Sequence, residues 1–83
     1  MLTEQQLAIL RTEPGTNRVA KAIALAGVTQ VTIAEALGLP QPYVSDVARQ
    51  RYRTITVENA RKFATYFGCS IEDLFPPGDE GKA

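Results

Sequence analysis

Histidine is absent from this 83-residue chain, and cysteine occurs once, at Cys69. A zinc site built from Cys and His is therefore unavailable. No internal disulfide can form either, which fits a reducing cytoplasm. General acid–base catalysis usually draws on His or a buried carboxylate pair, and nucleophilic catalysis on a partnered Ser or Cys. Neither arrangement can be assembled here, so neither an enzyme nor a cofactor is expected, and Cys69 reads as a small buried hydrophobe. No apolar run is long enough to span a bilayer, and no signal-peptide pattern opens the chain. Alternating, strand-like hydrophobicity is scarce, and repeats at solenoid spacing are missing.

Net charge is also lacking: nine basic residues balance nine acidic ones. The sum hides an uneven distribution, and the distribution decides partners. Between positions 49 and 62 lie Arg49, Arg51, Arg53, Arg61 and Lys62 against one acid, Glu58. The last dozen residues hold Glu72, Asp73, Asp79 and Glu80 against Lys82 alone. The middle of the chain is basic and its end acidic.

What the chain has is helical periodicity and helix punctuation. A hydrophobic content of 45% supports one small packed domain, although at this size only roughly 60% of the unfolded surface is buried. Thr3 with Gln6 forms a capping-box pattern, and Leu2 and Leu7 are spaced as a hydrophobic staple. A first helix is expected over about 4–12, ended by Pro14-Gly15. Val19, Ala22, Ile23 and Ala26 give a second helix over 16–26, closed by Gly27. Thr29 caps a third over 30–37, with Ile33, Ala34 and Leu37 inward, and Gly38 ends it. Leu39 can reach back into the core. Proline costs no hydrogen bond in a first turn, so Pro40 and Pro42 mark the start of a fourth helix over 41–49, with Val44, Val47 and Ala48 inward. After an arginine-rich loop, Thr56 caps a fifth helix over 57–67, with Val57, Ala60, Phe63, Ala64 and Phe67 inward. Ser70 with Asp73 caps a last short helix carrying Ile71, Leu74 and Phe75 and stopped by Pro76-Pro77.

The third and fourth helices, separated by a turn containing glycine, form a helix-turn-helix pattern. Gln41, Pro42, Ser45 and Asp46 occupy the outward positions of its second helix. A Gln amide can pair with adenine through two bonds, and an Asp can accept from the cytosine amino group; Asp46 reads equally as a solvated charge. Tyr43 could reach a phosphate or a thymine methyl, or simply pack on the surface. Arg49, Arg51 and Arg53 are permanently charged forks suited to phosphate, and Arg18 and Lys21 are candidates to extend that patch. Arg61 and Lys62 read as decoration of a solvent face.

From Gly27 to Phe75 the chain resembles the Cro/C1-type (XRE-like) helix-turn-helix domains of phage repressors and small bacterial regulators. The resemblance is carried by "GVTQVTIAEALGLPQPYVSDVARQ" and "ITVENARKFATYFGCSIEDLF". With the preceding helix it covers about two-thirds of the sequence. Three departures stand out: Pro40 where Ser or Thr is usual, Ala48 where many members have Glu, and Gln50 where many have Gly, followed by a loop one residue longer. The resemblance implies an all-α, five- to six-helix, lambda-repressor-like domain over residues 16–77. Residues 1–15 then form an extra helix and linker, and 78–83 a flexible polar tail. It implies that Gln30 braces a DNA phosphate at a helix N-terminus, where the helix dipole favours an anion. The expected function is that of a sequence-specific regulator, Cro-like or antitoxin-like and most simply a repressor, binding double-stranded DNA in the cytoplasm with the nucleoid. It is expected to act without a second, ligand-sensing domain, as a homodimer joined through Ile71, Leu74 and Phe75 or through Leu7 and Leu10. An antitoxin would add a toxin or another protein partner; no membrane is implied. The alternative is a small helical protein–protein interaction module that binds no DNA.

Overall fold

A hydroxyl stands immediately before four of the helices, and each one closes its helix's first turn. The computed structural model describes residues 2–15, 17–52 and 54–76. Among these the chain is all-helical: α1 (Glu4–Leu10), α2 (Val19–Ala26), α3 (Gln30–Leu37), α4 (Gln41–Ala48), α5 (Val57–Phe67) and α6 (Ile71–Leu74). Thr3, Thr29, Thr56 and Ser70 each accept from the amide three residues on. At Thr3 and Ser70 the side chains of Gln6 and Asp73 return a bond to the cap amide, so both capping boxes are complete. None of these helices is long and apolar enough to cross a membrane. Thr16, Arg53 and the expected stop and tail from Pro77 onward lie outside the described residues.

Three expected boundaries move. The first helix ends at Leu10 rather than at position 12, because the bonding tightens there: the Thr12 and Glu13 amides donate three residues back, to the Ile9 and Leu10 carbonyls. The second begins at Val19, since Arg18 has left helical geometry (φ −119°, ψ 23°). The fourth ends at Ala48, with Arg49 as its cap.

Most of the core is built where the periodicity puts it, and Leu10 joins it. Leu10, Val19, Ile33, Val44, Val47, Phe63, Phe67 and Leu74 are fully buried, and Phe63 meets Phe75 edge-on at 6.4 Å. Val57 is a correction. It shares the stripe of Ala60 and Phe63, but at the first position of α5 the stripe runs past the core, and Val57 is 65% exposed. Cys69 is half-buried against the core. Burial, reinforced by the nearby Asp73 charge, pushes its thiol up to about 11, so it is a neutral packing group at pH 7.

The first helix is part of this core. The Leu2 amide donates to the Phe67 carbonyl at 3.1 Å, and Gln6 Nε2 donates to the Leu25 carbonyl at 2.8 Å. Arg11 grips Asp73 with bonds of 2.9 and 3.3 Å. Leu10 and Leu74, expected as surfaces for a second copy, are both wholly buried inside the chain.

Two predictions follow from this packing. Leu10→Ala lowers stability in urea denaturation by about 2–5 kcal/mol, the usual effect of emptying a fully buried leucine site; an add-on helix would make it nearly silent. The second concerns pH. The hydrogen bond from Arg11 is the main cause holding the Asp73 carboxyl below its ordinary value, and burial opposes it. A carboxylate depressed in the folded state adds stability that is present above its unfolded value and lost as pH falls through the folded one. Asp73→Asn keeps an acceptor for the Ser70 amide but loses the charge that Arg11 grips, so it lowers the thermal midpoint near neutral pH. Its difference from wild type shrinks as the solution is acidified through that range.

Candidate nucleic-acid interface

The turn between α3 and α4 is short, and its sharpness comes from one residue. Gly38 sits at φ 69°, and a Cβ there would meet nothing within 4 Å. Glycine is therefore required for its backbone freedom rather than for space. The Leu39 amide closes back on the Ala34 carbonyl at 3.0 Å, and the Leu39 side chain packs against the core. Pro40 then takes up an extended conformation (φ −63°, ψ 141°) as the cap of α4, with no side-chain bond, and Pro42 stands in the first turn. The Pro40 carbonyl accepts from the Tyr43 and Val44 amides at 3.1 and 3.2 Å. The prolines fix the entry of α4 without leaving a donor stranded.

With Val44, Val47 and Ala48 buried, the opposite face of α4 is left outside. Gln41, Pro42 and Asp46 are exposed and Ser45 half-buried, and the exposed Arg49 continues the same stripe one turn on. Gln30, half-buried, is the first residue of α3. Tyr43 packs: its ring lies against the core, and its hydroxyl oxygen accepts from Asn59 Nδ2 at 3.1 Å, bracing α4 on α5. That bond uses the oxygen and leaves the hydroxyl proton to be donated.

The end of α4 is a second fixed point. The Gln50 amide donates to the Val47 carbonyl (3.0 Å) and the Arg51 amide to the Asp46 carbonyl (2.8 Å), the paired bonds of a Schellman cap. This motif normally puts glycine in the left-handed position; here Gln50 occupies it at φ 61°. Its side chain lies over Gly15, where an added Cβ would come within 3.0 Å of it. Arg49 and Arg51 are exposed on either side of this turn; Arg53 lies outside the described residues.

Charges in the chain divide by partner. Among the described residues the ion pairs are Arg11–Asp73 at 2.9 Å and Lys21–Glu13 at 4.0 Å. Arg18 donates to the Glu13 and Asp73 carbonyls at 2.9 and 3.1 Å. Arg18 is thus held against Glu13 and Asp73 and does not extend the basic patch, contrary to expectation, while Lys21 stands at the limit of a surface ion pair. Arg49 and Arg51 have no ion-pair partner among the described residues. Neither do Arg61 and Lys62, which line an open groove of about 660 Å³ with Ala36, Leu37 and Tyr66.

Sequence reasoning missed two groups. Asn17 is buried and reaches both the Val47 carbonyl and the Tyr52 hydroxyl; an Asn just ahead of an apolar helix is an Asx-turn signal, but only for its local bond. Asn59, the Tyr43 partner, carries no local signal at all.

Comparison with known proteins matches residues 19–74 to a helix-turn-helix family, the span from α2 to the end of α6. A solved structure described as a hypothetical transcription factor, NHTF, from Neisseria is similar over 99% of this chain and 91% of its own, with 28% identity and a TM-score of 0.60. That coverage includes α1, which the family match leaves out. No curated protein matches the chain.

Proposed function

The chain belongs to the helix-turn-helix family of the Cro/C1 type, with its lambda-repressor-like fold, and on that premise we propose that it is a sequence-specific regulator that binds double-stranded DNA. The observation that carries this reading is the bare polar face of α4 beside arginines that have no partner among the described residues. In it, α4 enters the major groove with Gln41, Pro42, Ser45 and Asp46 toward base edges. Gln30, Tyr43, Arg49, Arg51 and Arg53 hold the sugar–phosphate backbone, Tyr43 through its remaining hydroxyl proton. The protein acts as a repressor, Cro-like or antitoxin-like, and works with the nucleoid in the cytoplasm.

One eight-residue helix reads too few bases for tight specific binding, so two copies bind two half-sites. With Leu10 and Leu74 inside the core, the contact between copies falls to apolar residues that remain accessible. These are Ile71, Phe75 and Leu7, which are half-buried, and the exposed Val57, Val31 and Ile9. The groove between α3 and α5 favours a second reading, a helical module for a protein partner that binds no DNA. Salt separates the two, because release of counterions from DNA makes affinity fall steeply with ionic strength, whereas an apolar interface is nearly indifferent to it.

Two predictions test the assignment of roles. Arg49→Ala and Arg51→Ala weaken binding to specific and random duplexes alike, and each reduces the slope of log affinity against log salt by about one. Unchanged affinity for random duplex in both variants contradicts a backbone role for this turn. Gln41→Ala costs about 1–3 kcal/mol on the best site and relaxes preference at one base pair per half-site, because the amide of Gln matches N6 and N7 of adenine. Random-duplex affinity and the thermal midpoint stay close to wild type, as expected of an exposed side chain. Equal weakening on every duplex reassigns Gln41 to the backbone.

A further inference from the structure

Asn17 lies outside the helix pair, yet its side chain holds the segment on which the arginines stand. It is 2% exposed, and among the described residues no other polar or charged residue is buried. All three bonds its carboxamide makes are good ones. Oδ1 accepts from the Val19 amide at 2.9 Å, and Nδ2 donates to the Val47 carbonyl at 2.8 Å and to the Tyr52 hydroxyl at 3.0 Å. The orientation of the amide is forced: turned over, it would set oxygen against the Val47 carbonyl and NH₂ against the Val19 amide.

The two acceptors are not equivalent points on the chain. Val47 is in the last turn of α4, where its carbonyl also receives the Gln50 amide. Tyr52 lies beyond the Schellman turn. One buried side chain therefore grips both ends of the stretch that carries Arg49 and Arg51. That stretch needs gripping, because at its centre Gln50 is held in the left-handed region, which a residue with a Cβ enters only with strain.

We infer that Asn17 is a positioning residue for DNA binding: through Val47 and Tyr52 it holds the arginine turn in the conformation in which Arg49 and Arg51 meet the phosphates. The inference rests on the DNA-binding reading above. A turn already ordered in the free protein loses less conformational entropy on binding. Other side chains do not replace it. Serine can still accept from the Val19 amide but is too short to reach Val47, and an aspartate has no proton to offer either acceptor.

A purely structural Asn17 would lower stability and leave the DNA contacts as they are, so the test reads something stability does not move. The full chain is titrated with a random-sequence duplex pool over a range of salt, well below each variant's unfolding midpoint. Amide hydrogen exchange is followed in parallel at Gln50 and Arg51. Asn17→Ser keeps the acceptor for Val19 and removes both donors, while Tyr52→Phe removes one hydroxyl and leaves the rest of the ring. Leu10→Ala, which opens a cavity on α1 away from the arginine turn, is the stability control. The expected result is a slope of log affinity against log salt reduced by about one to two in Asn17→Ser, with a smaller reduction in Tyr52→Phe. Exchange should be faster at Gln50 and Arg51 in both. Leu10→Ala should show a lower midpoint with the wild-type slope. If Asn17→Ser does not fold, Tyr52→Phe decides. Wild-type slopes in the folded variants overturn the inference and leave the function standing. A wild-type protein with no salt-dependent duplex binding overturns the function, and the inference with it.

Discussion

An eight-residue helix that must keep one face bare cannot hold its own shape. In water a helix this short is marginal even with a favourable composition, and of the residues of α4 only Val44, Val47 and Ala48 are buried. Its geometry is therefore imposed from its two ends. At the start, Pro40 and Pro42 fix the entry with backbone angles that proline already prefers. At the finish, the Schellman bonds and the Asn17 amide capture the Val47 carbonyl and the turn beyond it. Between them, the Tyr43–Asn59 bond braces the helix on α5. The outward side chains need take no part in stability, and this leaves Gln41, Ser45 and Asp46 available for the role proposed for them.

The same division of labour runs through the charges. Arg11 and Arg18 are spent on the joint between α1 and α6, where they meet the Asp73 carboxylate and the carbonyls of Glu13 and Asp73. Arg49 and Arg51 remain without ion-pair partners among the described residues. A chain with zero net charge can thus present a local positive field, and local field, not the sum, is what a phosphate backbone meets. Four of the nine acids that balance the total, Glu72, Asp73, Asp79 and Glu80, lie in the last dozen residues.

Most of the fold was legible because its signals are local. Thr29 and Gly38 bracket α3, Thr56 and Gly68 bracket α5, and in both helices the apolar spacing between cap and glycine is unbroken, so the bounds read from sequence are those of the structure. Where the signal was ambiguous the reading slipped. Thr12 and Glu13 continue to turn after α1 without being α-helical, and Val57 lies on an apolar stripe that outruns the core. The outward face of α4 followed from periodicity, but what supports it did not. Asn17 and Tyr52 are 35 positions apart in sequence, and nothing near either one announces the other. Arg18 failed for a related reason: its charge suggested phosphate, while its contacts, with the carbonyls of nearby Glu13 and distant Asp73, are set by packing.

Selection of bound duplexes from a fully random pool tests the central claim most directly. A protein that reads DNA with α4 from two copies enriches a palindromic consensus whose half-sites lie about one helical turn, roughly 34 Å, apart. Recovery of duplexes with no shared sequence, or of none above background, contradicts a sequence-specific regulator.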